Sequence, residues 1–133
     1  MRSDNRVHTF TYAFTAWEGD FAGCDVVAQG YDVNVPLRVV KGRAGISGSL
    51  ADISQPNIIL EALKPAEDGS GDLIFRFYES KKAAVKAQIS TFVKGQVWLC
   101  DMEENRISEV PAEDGSFELD FRAFEIKTIR IGK

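Results

Sequence analysis

A six-residue segment that carries two carboxylates occurs twice in this chain. PAEDGS spans residues 65–70 and recurs at residues 111–116, with Glu67 and Asp68 in one copy and Glu113 and Asp114 in the other. Glycoside hydrolysis needs two carboxylates that converge on one bond, about 5–9 Å apart and one with a raised pKa. Carboxylates in exposed turns keep ordinary pKa values and face water. We favour the turn interpretation and expect both segments to be exposed to solvent.

The residues that follow the two copies also match. Residues 65–79 and 111–125 agree without gaps at ten of fifteen positions. In each copy an Asp-Gly pair precedes an alternating segment, and Asp-Gly is typical of β-hairpin turns. The similarity fades on both sides, so a tandem repeat is not supported. An EF-hand pattern is absent, and a calcium loop would need further oxygen ligands at alternating positions.

Other residue types that could do chemistry are few. His8 is the only histidine, and no Cys-x-x-Cys or His-x-x-x-His pair is present, so no zinc site is predicted and His8 is interpreted as a packed or interface residue. Cys24 and Cys100 lack a neighbouring base, so buried free thiols are favoured over a nucleophile or a disulfide. Glycines recur every third residue in 41–49 without a phosphate-loop pattern, which predicts a flexible loop.

Three aromatic residues are candidates for sugar binding. Trp17, Tyr31 and Trp98 could stack on sugar rings if they share an exposed face. Aromatic residues in a small domain also serve as core residues, which is the alternative interpretation.

Alternation of apolar and polar residues dominates the elements that would position these side chains. Residues 8–14 place His8, Phe10, Tyr12 and Phe14 on one face, and residues 85–90 and 116–122 alternate in the same way, which predicts strands with one wet face. Segments 57–63, 73–78 and 97–102 are apolar on both faces, which predicts strands in mid-sheet or between layers. The phase of the alternation slips within 124–131, so a bulge is expected near Lys127 or Thr128.

One stretch has helical spacing. Apolar residues recur at three- and four-residue intervals from Phe21 to Tyr31, and Asp20 could cap the start. Gly23 and Gly30 interrupt the pattern, so a short helix or helical turn is expected. With eight or so strands and turns rich in Gly and Asp, the fold class predicted is all-β, an antiparallel β-sandwich with one short helix or helical turn.

The bulk composition limits the possible partners and location. A chain of 133 residues with 44% hydrophobic and 27% charged residues is typical of one soluble globular domain. A net charge of −4 without a Lys/Arg cluster argues against a nucleic-acid partner, and no apolar run is long enough to span a membrane. The N-terminus has no signal-peptide pattern, so a cytoplasmic location is expected, with residues 1–7 disordered or a linker.

The order of several segments resembles a known family. HTFTYAF is followed by WEGDF, then by the block Asn57–Gly69 with Arg76–Glu79, and finally by the block Phe124–Arg130. This order resembles the C-terminal β-sandwich of glycoside hydrolase family 38, the α-mannosidases. The resemblance covers residues 8–132, and the middle and final blocks are the most specific. One departure is Ala16-Trp17, where the family often has Pro-His.

The resemblance implies a domain without its own active site. Family 38 enzymes are large, and their Asp nucleophile, general acid and zinc lie in an N-terminal catalytic domain, so no catalytic residue and no metal ligand are carried over to this chain. The implied role of residues 8–133 is a non-catalytic C-terminal β-sandwich that packs on the catalytic domain of the same polypeptide. The parent enzyme would hydrolyse a mannose-containing sugar with zinc. The alternatives are a carbohydrate-binding module that uses Trp17, Tyr31 or Trp98 and, less favoured, a stand-alone hydrolase.

Overall fold

The computed structural model describes residues 6–42, 45 and 47–132. The chain divides into two compact units, Met1–Arg43 and Ala44–Lys133, and each is described by itself. The assignment of residues 8–133 to one domain stays a prediction. So does the linker assigned to residues 1–7, because residues 1–5 lie outside the described part. Three positions of the glycine-rich loop predicted at 41–49, residues 43, 44 and 46, also lie outside it.

The helical prediction is confirmed in the first unit, where the helix is split in two. A 3₁₀ turn spans Phe21–Gly23, and the α-helix α1 spans Val26–Asn34. The Asp20 carboxylate caps the turn by accepting a hydrogen bond from the Gly23 amide at 3.1 Å. Cys24 separates the 3₁₀ turn from α1, because its backbone is extended, with φ −90° and ψ 159°. Among the described residues, no helix has the length and apolarity that a membrane crossing requires.

The strand predicted at residues 8–14 is wrong. Residues 7–17 form neither helix nor strand, and the Phe10, Tyr12 and Phe14 side chains are 79%, 86% and 91% exposed. An alternating segment becomes a strand only when a neighbouring backbone accepts its hydrogen bonds. The described part of the first unit contains no strand that could do so.

The second unit is an antiparallel β-sandwich, which confirms the predicted fold class. The strands are β1 Ala51–Ile53, β2 Ile58–Pro65, β3 Leu73–Glu79, β4 Val85–Thr91, β5 Gln96–Cys100, β6 Arg106–Val110, β7 Ala112–Glu113, β8 Ser116–Phe121 and β9 Ile126–Gly132. A four-stranded sheet has the order β1-β4-β8-β7, and a five-stranded sheet has the order β2-β3-β9-β5-β6, with every pair antiparallel.

The core lies between the two sheets. The alternation of β4 and β8 places Ala87, Ile89 and Phe117 inside, and β3 and β9 contribute Phe75 and Ile129. All five side chains are at most 2% exposed. Burial of this apolar surface is the main stabilising contribution, at roughly 25 cal/mol per Å².

Two strand details differ from the sequence predictions. Segment 57–63 is predicted in mid-sheet or between layers. The mid-sheet alternative is wrong, because β2 is an edge strand with a register shift between Leu60 and Ala62, although Ile58 lies in the core between the sheets. The bulge expected near Lys127 or Thr128 is absent, because β9 pairs with β3 in unbroken register. The phase slips for another reason: Phe124 lies before β9 in a turn, with a positive φ of 57°.

Candidate functional site

The first PAEDGS segment belongs to a loop that is bound to the five-stranded sheet by one arginine. Ile129 and Ile131 point into the core, so Arg130 between them projects from the opposite face of β9. Its Nε donates to Asp72 Oδ2 at 2.6 Å, and its Nη2 donates to Asp68 Oδ2 at 2.7 Å. The same Nη2 contacts Ser70 Oγ at 3.0 Å. Residues 66–72, which join β2 to β3, are therefore held against the sheet.

These carboxylates are unsuited to acid catalysis. Hydrogen bonds from Ser70, followed by the Arg130 guanidinium, hold the pKa of Asp68 well below its ordinary value. The hydrogen bond from Arg130 also lowers the pKa of Asp72, and Arg106 adds to this effect against the opposing effect of burial. A glycosidase general acid needs a raised pKa. Asp68 and Asp72 are instead charged partners of arginine.

A lysine joins the same loop to the turn between β5 and β6. Lys64 Nζ lies 2.6 Å from both Glu67 Oε1 and Glu104 Oε1. The other oxygen of Glu104 accepts the Glu67 backbone amide at 3.0 Å. Hydrogen bonding to Lys64 lowers the pKa of Glu104, so this carboxylate is also ionised at neutral pH.

The second PAEDGS segment forms a tight turn instead. Asp114 and Gly115 lie between the paired residues Glu113 and Ser116, and both have positive φ, 50° and 83°. These values match the two-residue type I′ hairpin turn that Asp-Gly favours. The Asp114 carboxylate pairs with Lys94 and is 88% exposed. Hydrogen bonding to Lys94 lowers its pKa.

Both copies lie at the same end of the sandwich, one on each sheet. The first copy precedes β3, whose Leu73 pairs with Ile131 near the end of β9. The second turn adjoins the end of β4, because the Thr91 amide donates to the Gly115 carbonyl at 2.9 Å. A cavity of about 410 Å³ at this end is lined by residues of the first loop and by Val93 and Lys94. The expected solvent exposure of both acidic turns is confirmed: Asp68 is 52% exposed.

A buried glutamate closes the opposite end of the five-stranded sheet. Glu79 is 1% exposed, and its carboxylate accepts hydrogen bonds from Asn57 Nδ2 at 2.8 Å, the Lys81 amide at 2.7 Å and the Phe124 amide at 2.9 Å. Burial alone would raise its pKa, but the hydrogen bonds, led by the one from Phe124, outweigh it and lower the pKa. Glu79 thus satisfies polar groups at the strand ends.

The sugar-binding candidates lie in different environments. In the first unit, Trp17 is 49% exposed and Tyr31, within α1, is partly buried. In the second unit, Trp98 is also partly buried, and the Arg106 guanidinium lies 5.1 Å from the centre of its ring. The Trp98 indole nitrogen is buried and has no hydrogen-bond partner among the described residues. Sugar binding by these three residues stays a prediction.

The two cysteines and His8 are the remaining candidates from the sequence. Cys24 and Cys100 are buried free thiols, as predicted, and burial raises the pKa of Cys100. His8 lies in the exposed segment of the first unit. Across residues 6–42, 45 and 47–132, no group of three or more His, Cys, Asp or Glu side chains could hold a metal ion.

The apolar residues of segments 57–63 and 73–78 are buried or partly buried. Ile58 is 3% exposed, and Ile74, Phe75 and Phe77 are fully buried within the second unit itself. Large exposed apolar side chains concentrate instead in the first unit. They are Val7, Phe10, Tyr12, Phe14, Trp17, Phe21, Val33, Val35, Leu37, Val39 and Val40. Cys24 is the one buried residue among those described in that unit, so the unit exposes most of its apolar surface.

Comparison with known protein families identifies the family of the β-sandwich. The model of the glycosyl hydrolases family 38 C-terminal beta sandwich domain matches residues 57–129. The chain belongs to this family. The match covers the blocks Asn57–Gly69 and Arg76–Glu79 and all but the last residue of Phe124–Arg130, which supplied the most specific part of the resemblance. None of the curated proteins matches the chain.

The family 38 blocks have a structural explanation in this domain. Lys64, Asp68 and Arg130 hold the loop between β2 and β3, and Glu79 is bonded to Asn57. Arg76 donates to the Met102 carbonyl at 3.1 Å. The motif residues therefore position loops on the five-stranded sheet. These contacts are completed by Asp72, Arg106 and Glu104. No sequence pattern indicates their role, because their partners in these hydrogen bonds are at least 34 residues away.

Proposed function

We propose that this family 38 domain is the non-catalytic C-terminal β-sandwich of a zinc-dependent retaining α-mannosidase. In this role it packs on and supports the catalytic domain of the same polypeptide. The family match makes the parent a glycosyl hydrolase of family 38. Mannoside specificity, zinc and the retaining mechanism belong to the proposal. The described residues offer no ligand cluster, so the proposal assigns zinc to the catalytic domain and none to this chain.

The exposed apolar surface of the first unit carries the proposal of a supporting role. Soluble monomeric proteins rarely expose contiguous apolar patches beyond a few hundred Å². In this unit Phe14 is 91% exposed, Leu37 98% and Val39 95%. Exposed aliphatic and aromatic side chains in such number favour burial against another part of a larger protein. The paired carboxylates of the second unit favour a non-catalytic domain, because Asp68, Asp72 and Asp114 each form an ion pair with an arginine or a lysine.

Activity assays on the intact parent and on the isolated chain test the mannosidase assignment. We expect the parent to cleave an aryl α-mannoside, to contain zinc and to lose activity on chelation, while residues 1–133 alone show no cleavage. Cleavage by the isolated chain would make it a hydrolase in its own right. A parent that cleaves other glycosides but no α-mannoside would contradict the assigned substrate.

A truncated parent tests the supporting role. Deleting residues 8–133 should abolish folded, active enzyme, because the catalytic domain would lose the surface on which it packs. The matched control is the point variant Ile107→Ser in the intact parent, which changes an apolar residue 63% exposed on the edge strand β6. A truncated parent with full activity and unchanged thermal stability would rule out the supporting role.

The carbohydrate-binding alternative is favoured by one observation, the 49% exposure of Trp17. Titrating mannosides against the isolated chain while following tryptophan fluorescence tests it. Trp17→Ala and Trp98→Ala variants separate the two signals. No fluorescence change at millimolar sugar would eliminate this alternative.

A further inference from the structure

The cavity beside the first acidic loop has an apolar floor and a polar wall. Its volume of about 410 Å³ falls within the range of small-molecule sites, about 300–1,000 Å³. Leu73, Val93 and Ile131 form the floor, and all three belong to the hydrophobic core or pack against it. The loop between β2 and β3 contributes Gly71 and Asp72 to the wall. An apolar floor with a few convergent polar groups is typical of a ligand site.

One oxygen of the Asp72 carboxylate is available in this wall. Oδ2 accepts hydrogen bonds from Arg130 Nε at 2.6 Å and from Arg106 Nη2 at 3.1 Å, whereas Oδ1 accepts none from the residues that the structure describes. Trp98 Nε1 is the one side-chain polar atom in that part of the chain that is both fully buried and unpartnered, so Oδ1 remains accessible. Asp72 is itself a buried residue. It therefore presents a single acceptor to the cavity that it lines.

Gly132 makes room for this carboxylate in the cavity wall. A Cβ at position 132 would collide with both carboxylate oxygens of Asp72, so the carboxylate lies in space that a larger residue would fill. In the same wall, the Gly71 amide donates no hydrogen bond to another described residue. The wall thus offers one acceptor and one donor that have no partner in the described part of the protein.

The charges around the wall favour a neutral ligand. Two guanidinium groups already balance Asp72, and the Lys94 side chain, which also lines the cavity, pairs with Asp114. A cationic ligand would meet these protein cations, and an anionic ligand would lie against the open carboxylate oxygen. A hydroxyl group, by contrast, can donate to a carboxylate and accept from an amide. The ligand that fits best is therefore neutral and carries hydroxyl groups.

We propose that this cavity binds a small neutral polyol, of the size and chemistry of a monosaccharide. One hydroxyl group donates to Asp72 Oδ1, a second accepts from the Gly71 amide, and the ring carbons cover the apolar floor. None of the three aromatic candidates for sugar binding is among the lining residues, so the site does not depend on ring stacking. The inference goes beyond the supporting role, which requires no ligand in this domain.

NMR titration of the chain of residues 1–133 with D-mannose and with glycerol tests the proposal. The amide signals of residues 70–73 and 93–94 should shift together and saturate in the millimolar range with D-mannose. Tetrahydropyran has the same kind of ring without hydroxyl groups, and it should bind at least ~10-fold more weakly because Oδ1 gains no donor. Ethylammonium chloride should cause no saturable shift at these residues.

Three results of this titration would overturn the proposal. The first is the absence of a saturable shift with both polyols up to ~100 mM, which corresponds to negligible affinity. The second is equal binding of D-mannose and tetrahydropyran, since the hydroxyl groups would then contribute nothing. The third is tighter binding of ethylammonium than of D-mannose, since the cavity would then be a cation site.

A matched pair of variants tests the location of the site without changing its ion pairs. Val93→Phe should weaken the binding of D-mannose at least ~10-fold, because the larger side chain occupies the floor of the cavity. The control, Ile107→Phe, introduces the same side chain at an exposed position on the edge strand β6 and should leave the affinity unchanged. Dispersion of the amide signals shows that each variant is folded before affinities are compared.

A second pair tests the acceptor. In Asp72→Asn the amide oxygen can replace Oδ2 toward the arginines, which leaves an N–H group in place of Oδ1, so the affinity for D-mannose should fall ~10-fold. The control is Asp120→Asn, on the exposed pair with Lys86, which should not change the affinity. If Asp72→Asn fails to fold, Val93→Phe decides the question alone.

The outcomes are independent of the mannosidase assay on the parent. Binding of D-mannose that persists unchanged in Val93→Phe would locate the ligand elsewhere and overturn the inference, while an active parent would leave the proposed function standing. A parent that cleaves no α-mannoside would contradict the proposed function. Saturable shifts at residues 70–73 and 93–94 that are lost in Val93→Phe would still support the polyol site.

Discussion

The two PAEDGS segments have the same six residues and fold differently. In the first, residues 66–72 form a seven-residue loop between the paired residues Pro65 and Leu73. In the second, Asp114 and Gly115 alone connect β7 to β8. Gly69 and Gly115 both have positive φ, but Asp114 also does, whereas Asp68 does not. Identical local sequence therefore permits two turns, and the surroundings select between them.

The selection follows from the partner of each aspartate. Asp68 meets Arg130, whose side chain is 10% exposed on a central strand, and this draws the first loop over the sheet. Asp114 meets Lys94 from the connection between β4 and β5, and both side chains remain largely exposed. A buried cation therefore fixes the long loop, while backbone geometry fixes the tight turn. The first copy is therefore sensitive to loss of its cation, and the second copy to loss of its glycine.

The largest effect is expected for Arg130→Met. This change leaves Asp72, 8% exposed, without its closest cation and releases the first loop. Breaking a buried ion pair from one side costs about 3–5 kcal/mol of the free energy of unfolding. Urea unfolding of the chain, followed by circular dichroism, measures the loss.

The control for that change is Lys94→Met, which removes the cation of the second copy. Its exposed pair with Asp114 is screened by solvent, so the unfolding midpoint should stay close to that of the unchanged chain. Equal losses in the two variants would contradict a special role for the buried arginine.

A second pair of variants reverses the order of sensitivity. Gly115→Ala should destabilise the chain by about 2–3 kcal/mol, because a Cβ there combines positive φ with a collision against the Thr91 carbonyl oxygen. Gly69→Ala meets nothing within 4 Å and retains only the cost of its φ, about 1 kcal/mol. Thermal unfolding of both variants measures the difference. A larger loss at Gly69 would show that the tight turn tolerates rearrangement.

Acidification should weaken both copies, with the larger effect at the first. The folded state lowers the pKa values of Asp68, Asp72 and Asp114. Their stabilising contribution is therefore complete above the unfolded values of about 4 and is lost as pH falls through the lower folded values. Urea midpoints should be level between about pH 7 and 5 and fall below about pH 4.

The matched variants for this prediction are Asp68→Asn and Asp114→Asn. Asp68→Asn should reduce the fall of the urea midpoint at low pH more than Asp114→Asn does. The reason is that Asp68 is bonded to Ser70 and Arg130, whereas Asp114 pairs with one exposed lysine. If Asp68→Asn leaves the fall of the midpoint unchanged, this carboxylate is excluded as a source of the pH dependence.

Much of the sandwich could be predicted from the sequence. Residues 85–90 lie in β4 and residues 116–121 form β8, both with the expected faces inward, because alternation directly encodes which side meets the core. The same alternation at 8–14 produced no strand, since pairing needs a neighbouring strand and the described part of the first unit contains none. Arg130 was within a recognised block, but its partner Asp68 lies 62 residues away. Local patterns cannot specify such a contact.

The all-β class, the helical turn after Asp20 and the family 38 membership of the sandwich can be predicted from the amino-acid sequence alone. These depend on residue periodicity, capping and short motifs, all of which are local. The three-dimensional structure is needed to show that one PAEDGS copy is a loop held by Arg130 and the other a tight turn at Gly115. It also shows which apolar residues remain exposed. Strand order and ion pairing bring distant residues together, and their energies depend on surroundings that no short segment contains.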